Sequence, residues 1–329
     1  MTIRRPSAAT PPRARKGLLA GADGLDIRDT LPDEWYEQDT WAQDESAQIG
    51  RIVAGAYRLL GIVGRGAVGT VYEARHEPTG APVAVKLLQP HCRGDAEEEL
   101  RFLREGRMAA SLSHPHVVRV LDVGRDLDGT PFQVQELLRG HDLATLLDRG
   151  EVTERELLHV ARQVLAALAC VHGAGFLHRD VKPENVFVSR RSGAYHATLL
   201  DFGIVKDAWP YDENRLTMEG IVLGTPYYMS PEQARGEPLD ETVDLWALGA
   251  LLYRGLCGRF AFDETDVTKL AVRIATEPAP SLLAHRPDLP PAVIEAVDRA
   301  MRFRPGDRWS TAKEMDRALA TALEQMEGR

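Results

Sequence analysis

The chain has 329 residues, 44% hydrophobic and 27% charged, with 40 basic against 49 acidic side chains and a net charge of -9. That length serves one large domain, or two lobes and a tail, and the acidic balance argues against a nucleic-acid binder, which would show a basic footprint. Cys92, Cys170 and Cys257 form no metal spacing and read as buried thiols of a reducing cytosol, the apolar runs at 164–170 and 245–252 are too short to span a bilayer, and Arg4 and Arg5 have no apolar stretch behind them to make a secretory signal.

Residues 1–50 read as a disordered tail. The first seventeen are basic and proline-containing, and from Asp23 to Glu45 nine acids face Arg28 alone. Neither block has a sustained apolar period, so burial cannot offset the entropy of ordering it. Trp35, Tyr36 and Trp41 are the exception, and either dock on a folded body or form a short binding motif.

Ordered pattern begins near Tyr57. A strand over 57–63 leads into Gly64-Arg65-Gly66-Ala67-Val68-Gly69 and then Thr70-Val71-Tyr72-Glu73-Ala74. A glycine run of this kind opens a helix in a dinucleotide fold. Here it opens a β-branched, alternating segment, so a strand–turn–strand hairpin fits better, with backbone N–H groups free to approach phosphates. Lys86 lies in the apolar strand Pro82–Leu88, and an inward ammonium needs an anion. A helix over 95–112 offers one, because Glu105 shares a face with Phe102, Met108 and Ala109. A carboxylate on an apolar stripe is costly unless paired, which predicts Lys86–Glu105. Gly106 costs this helix about 1 kcal/mol relative to Ala, and the sequence gives no reason for it.

Strands over 117–123 and 131–135 join through Asp128-Gly129, and 136–140 connects this β-rich part to a helical remainder. A short helix over 142–148 precedes a capping box, Thr153-Glu154-Arg155-Glu156, which starts a long amphipathic helix ending at Gly173. Phe176–Val188 then begins and ends apolar around His178-Arg179-Asp180-Val181-Lys182-Pro183-Glu184-Asn185. Pro183 forbids a helix through Lys182, so this is a loop between buried anchors. It offers Asp180 as proton acceptor, Lys182 as phosphate clamp and Asn185 as a metal-competent carbonyl, the set needed for phosphoryl transfer to a hydroxyl. A short strand over 198–200 leads to Asp201-Phe202-Gly203 and a loop of about thirty residues, a length that is usually functional. The nearly all-apolar helix 242–258 is a core helix with Asp244 in its first turn. Helices over 267–275, 292–301 and 311–325 follow, the last behind a second capping box, Thr311–Glu314, and Arg308 is a candidate partner for Glu232.

From Tyr57 to about Leu323 the motifs, in this order, resemble a protein kinase domain. The forms His178–Asn185 and Gly224-Thr225-Pro226-Tyr227-Tyr228-Met229-Ser230-Pro231-Glu232 look like the eukaryotic-like Ser/Thr kinases of bacteria. The resemblance implies an α+β bilobal fold over 55–325: a small lobe with an antiparallel sheet and one helix (55–136), a hinge (136–140) and a larger, mainly helical lobe (141–325). It implies that Gly64, Gly66 and Gly69 cover the ATP phosphates, that Val71 and Ala84 line the adenine slot, and that Glu136 and Leu138 offer it backbone groups behind a Gln135 gatekeeper. It places Lys86 on the phosphates, oriented by Glu105. Asp180 becomes the base, Lys182 the γ-phosphoryl partner, and Asn185 and Asp201 the Mg2+ ligands. His178, Arg179, Glu232 and Arg308 become structural, and Thr217 and Thr225 belong to the activation loop, where Arg179 would bind phosphate on Thr217. It further implies protein Ser/Thr substrates, a homodimer for trans-autophosphorylation, no nucleic-acid or membrane partner, and a cytoplasmic location. The rival from the same resemblance is an ATP-binding pseudokinase scaffold.

Overall fold

The computed structural model describes residues 46–66, 68–201 and 226–327. Most of the expected tail lies outside the described residues, with Trp35, Tyr36 and Trp41, as do Ala67, Phe202, Gly203, Thr217, Glu219 and Thr225.

The first lobe is a six-stranded antiparallel sheet. Its strands are β1 (Ile52–Val53), β2 (Tyr57–Arg65), β3 (Gly69–His76), β4 (Pro82–Leu88), β5 (Val120–Arg125) and β6 (Pro131–Glu136), in the order β1-β2-β3-β4-β6-β5. Side chains alternate between faces along a strand, and residues directly opposed across an antiparallel pair share a face. The register pairs Tyr72 with Val85, Ala74 with Val83 and Val85 with Val134. These residues, with Leu59, Leu87 and Phe132, bury one face as an apolar core that Val53 of β1 joins. The same register pairs Val71 with Lys86, Lys86 with Gln133 and Ala84 with Gln135. The candidate site residues of the sheet therefore occupy its other face, and helix α1 (Ala96–Ser111) packs there through Phe102 and Leu103. Asp95 caps α1 by accepting from the backbone of Glu97 and Glu98.

β1 precedes the first strand expected from sequence. It is tied down by Arg51, whose guanidinium donates to Asp126 at 2.5 Å and Asp128 at 2.7 Å, while Ala54 N–H donates to Asp126 at 2.8 Å. The strand expected over 117–123 starts later, at Val120. Val117 instead makes an isolated parallel bridge to Leu199, which takes the chain between the lobes.

The second lobe contains β7 (His141–Asp142), α2 (Leu143–Asp148), α3 (Glu154–Gly173), β8 (Val186–Arg191), β9 (Ala194–Leu199), α4 (Pro231–Arg235), α5 (Thr242–Cys257), α6 (Val267–Thr276), α7 (Pro291–Ala300) and α8 (Ala312–Glu327). The Thr153 capping box of α3 is closed in both directions. A second closed box, Ser230 with Gln233, starts α4. The box expected at Thr311 is only half made: Thr311 accepts from Glu314 N–H, but the Glu314 carboxylate reaches Ser310 N–H. The strand expected at 198–200 is the end of β9, which forms a hairpin with β8. Helix α5 is the core's axis, with Leu245, Trp246, Leu248, Leu251, Leu252 and Tyr253 fully buried among residues of α3, α7 and α8.

Glu232 and Arg308 meet inside this lobe, at 2% and 1% exposure. The pair is bidentate, at 2.6 and 2.7 Å, and the remaining guanidinium N–H groups donate to the carbonyls of Arg302, Thr242 and Phe303. Among the described residues no helix is long and apolar enough to cross a membrane.

Candidate active site

The site is assembled from the inner face of the sheet, the loop after α3 and the residue after Leu200. In the glycine turn, Gly66 N–H donates to Gly69 O at 2.9 Å. Gln89, at the end of β4, holds the turn from beneath, through its N–H to Val68 O at 2.9 Å and its amide nitrogen to Thr70 Oγ1 at 2.9 Å. A Cβ on Gly69 would lie 3.0 Å from Leu87 O and 3.2 Å from Lys86 Cγ. The glycine is thus what lets the Lys86 stem pass under the turn.

Lys86 Nζ reaches two carboxylates: Asp201 Oδ1 at 2.8 Å and Glu105 Oε1 at 3.4 Å. The Glu105 pair expected from sequence is present but is the longer contact. Burial opposes the charge on Lys86, yet Asp201 and Glu105 together hold its pKa above the usual ammonium range. Glu105 is the carboxylate that goes short. Burial pushes it up to about 7; Lys86 opposes this and Asp201 adds to it. A carboxyl raised by folding is destabilising once it ionises, so its effect grows as pH rises from the unfolded value through about 7. Glu105→Gln should therefore gain on the wild type as pH rises, the stability gap changing by about 2–3 kcal/mol between roughly pH 5 and 8. Denaturant titrations at the two pH values measure this, and a constant gap would count against it.

The loop between α3 and β8 hangs from Asp244 on α5, a fully buried carboxylate. Asp244 accepts from His178 N–H at 2.8 Å, Arg179 N–H at 2.7 Å and His172 Nε2 at 2.8 Å. Burial would raise its pKa, but these donors and the two histidines keep it below the usual carboxylate range. Holding both amides turns Arg179 into the left-handed region, at φ 63°. His178 is fully buried, which lowers its pKa and keeps the ring neutral. Its Nε2–H donates to Leu200 O at 2.8 Å and its Nδ1 accepts from Asp180 N–H at 3.3 Å, which fixes the tautomer. Leu200 N–H in turn donates to Asn185 O at 2.8 Å. Both backbone groups of Leu200 thus tie the loop to the residue before Asp201, which itself stands in the left-handed region at φ 34°.

Within the loop, Asp180 Oδ2 accepts from Asn185 Nδ2 at 2.9 Å and from Lys182 Nζ at 2.9 Å. Asn185 Nδ2 also donates to Asp180 O at 2.8 Å. With its nitrogen engaged on Asp180, Asn185 keeps its side-chain oxygen as an acceptor, and Asp201 is 41% exposed. Among the described residues no cluster of three His, Cys, Asp or Glu side chains could cage a metal. A full protein cage is not what Mg2+ requires, since it takes one or two protein oxygens and completes its shell from phosphates and water.

Beyond the loop, Tyr227 stacks on Phe260 with centroids 3.9 Å apart and donates to Glu264 O at 2.9 Å. Tyr228 OH accepts from Arg254 at 2.8 Å, and Arg254 also pairs with Asp148 at 3.0 Å. Glu136 and Leu138 lie at the end of β6 and in the connector, half-buried, and Gln135 is half-buried beside Ala84. Asp244 is absent from the site expected by sequence, although the signal was available: it is a carboxylate on a helix with almost no polar face.

The model of the protein kinase domain matches residues 57–319. This chain belongs to the protein kinase family. The kinase domain is 38% identical over 275 residues to the serine/threonine-protein kinase pkn3 of Myxococcus xanthus, covering 82% of this chain and 50% of that protein. It is 36% identical over 271 residues to PknE of Mycobacterium bovis, covering 82% and 46%. Among solved structures, the PknI kinase domain of Mycobacterium tuberculosis matches with a TM-score of 0.65 at 28% identity, over 83% of this chain and 98% of that one. The chain spans about half the length of these curated relatives. The kinase domain has the family's α+β bilobal fold: an antiparallel sheet with one helix above a mainly helical lobe.

Proposed function

We infer that this chain is a Ser/Thr protein kinase that transfers the γ-phosphoryl group of ATP to hydroxyls of protein substrates. The observation that carries the reading is the pairing of Asp180 with Lys182 and Asn185 and of Asp201 with Lys86, the two groups being tied through the backbone of Leu200. Asp180 takes or orients the proton of the acceptor hydroxyl. Lys182, bonded to it, meets the charge on the phosphoryl group in transit. Lys86 holds the α- and β-phosphates, Glu105 orients it, and the turn through Gly64, Gly66 and Gly69 closes over them with backbone N–H groups. Val71 and Ala84 flank the adenine, and Glu136 and Leu138 offer it backbone groups. Mg2+ bound by Asn185 and Asp201 would neutralise charge on the β- and γ-phosphates.

A nucleotide-binding scaffold without catalysis gains no support, because each of these side chains is present and engaged. Phosphate on Thr217, added in trans by a second copy, and its capture by Arg179 complete the reading; Thr217 and Thr225 lie outside the described residues. Incubation with Mg-ATP and a generic protein substrate tests it, the expected product being phosphoserine and phosphothreonine. Asp201→Asn should weaken Mg-ATP binding as well as turnover. A wild-type protein that binds nucleotide and transfers no phosphate would overturn the assignment.

A further inference from the structure

Gln133 is a polar side chain, 1% exposed, on the inner face of the sheet. It lies directly across from Lys86, so both side chains leave the sheet on the same side. Its amide nitrogen donates to the Phe102 carbonyl of α1 at 2.8 Å. That carbonyl has a second lone pair beyond the one its own helix uses. Phe102, Glu105 and Gly106 share one face of α1 by their three- and four-residue spacing. Two neighbouring residues of the sheet therefore grip a single turn of the helix, Lys86 through the Glu105 carboxylate and Gln133 through the Phe102 carbonyl.

Gly106 is the clearance this grip needs. A Cβ there would lie 2.9 Å from Gln133 Cγ, 2.9 Å from Gln133 Cδ and 2.9 Å from Val123 Cγ2. This gives a physical reason for a residue that is a poorer helix former than alanine. The ion pair is a poor tether by comparison, because Lys86 lies closer to Asp201 than to Glu105.

We propose that Gln133 is a positioning residue, holding α1 at the distance where Glu105 reaches Lys86, with Gly106 as the space that permits it. The link to catalysis rests on the phosphate-binding role given above to Lys86 and Glu105. Gln133→Met keeps the volume and deletes the donor; Gly106→Ala keeps the donor and fills the clearance. In nucleotide-free protein each should speed amide hydrogen exchange across residues 103–109 by about ten-fold, the scale of one buried hydrogen bond, with exchange in α5 unchanged as the control for folding. Each should also raise KM for ATP several-fold, by more than it lowers kcat.

A glycine with no such role would respond in the opposite sense, since alanine is the better helix former. Slower exchange in Gly106→Ala with an unaltered KM would overturn the proposal, as would wild-type exchange in Gln133→Met. If the wild-type protein proved inactive, the exchange measurements would still decide whether Gln133 holds α1, and the loss would fall on the assigned activity alone.

Discussion

Asp180→Asn is expected to lower phosphoryl transfer by about 10²-fold or more while leaving nucleotide affinity near that of the wild type. The substitution keeps size and shape but reverses what the side chain can offer. Asp180 Oδ2 already accepts from Asn185 and from Lys182. An amide at position 180 must turn its oxygen to those two donors, and its NH2 group then faces the acceptor hydroxyl. An NH2 group cannot take a proton. Lys86 and Asp201, to which phosphate and metal binding are assigned in the proposal, are untouched, so nucleotide titration should change little. Phosphorylation of a protein substrate at the wild-type rate by this variant would sink the assignment of Asp180 as the base.

Arg308→Ala should cost the fold roughly 3–5 kcal/mol, because it strands the buried Glu232 charge. All five guanidinium donors have acceptors: two on Glu232, and the carbonyls of Arg302, Thr242 and Phe303. The plane of the group also lies over the Trp246 ring at 4.8 Å. In a body of this size the loss corresponds to a fall in melting temperature on the order of 10 °C. Arg308→Lys should recover little of it, since an ammonium cannot present donors in five fixed directions. An unchanged melting temperature in Arg308→Ala would remove the pair from the list of things that hold the lobe together.

What the sequence made legible was charge in apolar company. Glu105 on an apolar helix stripe and Lys86 in an apolar strand pointed to each other, and Arg308, just before the last helix, was already a candidate partner for Glu232. What it hid was competition. Nothing in the chain around Lys86 announces that Asp201, 115 positions away, makes the shorter contact. Asp244 follows the same logic as Glu105, but a first-turn acid on a helix also has a ready dipole explanation and so gives a weaker signal. Gln133 carries no charge, and an amide in a strand gives no signal until the helix facing it is known. The β8–β9 hairpin was hidden for a different reason: its turn lies in a polar stretch, while the apolar ends of both strands read as parts of neighbouring motifs.

The N-terminal edge of the sheet bears on where this domain can be cut. The family model begins at Tyr57, but the charges draw the border earlier. Asp126 is 8% exposed and rests on Arg51 and on the N–H of Ala54, which together with the N–H of Leu127 bring its pKa below the usual range against the pull of burial. A chain trimmed to the first matched residue would keep every group assigned to chemistry and still take from Asp126 both its cation and the N–H of Ala54. The portable unit of this kinase domain therefore starts upstream of Arg51, at a point set by the electrostatics of a turn on the far side of the sheet.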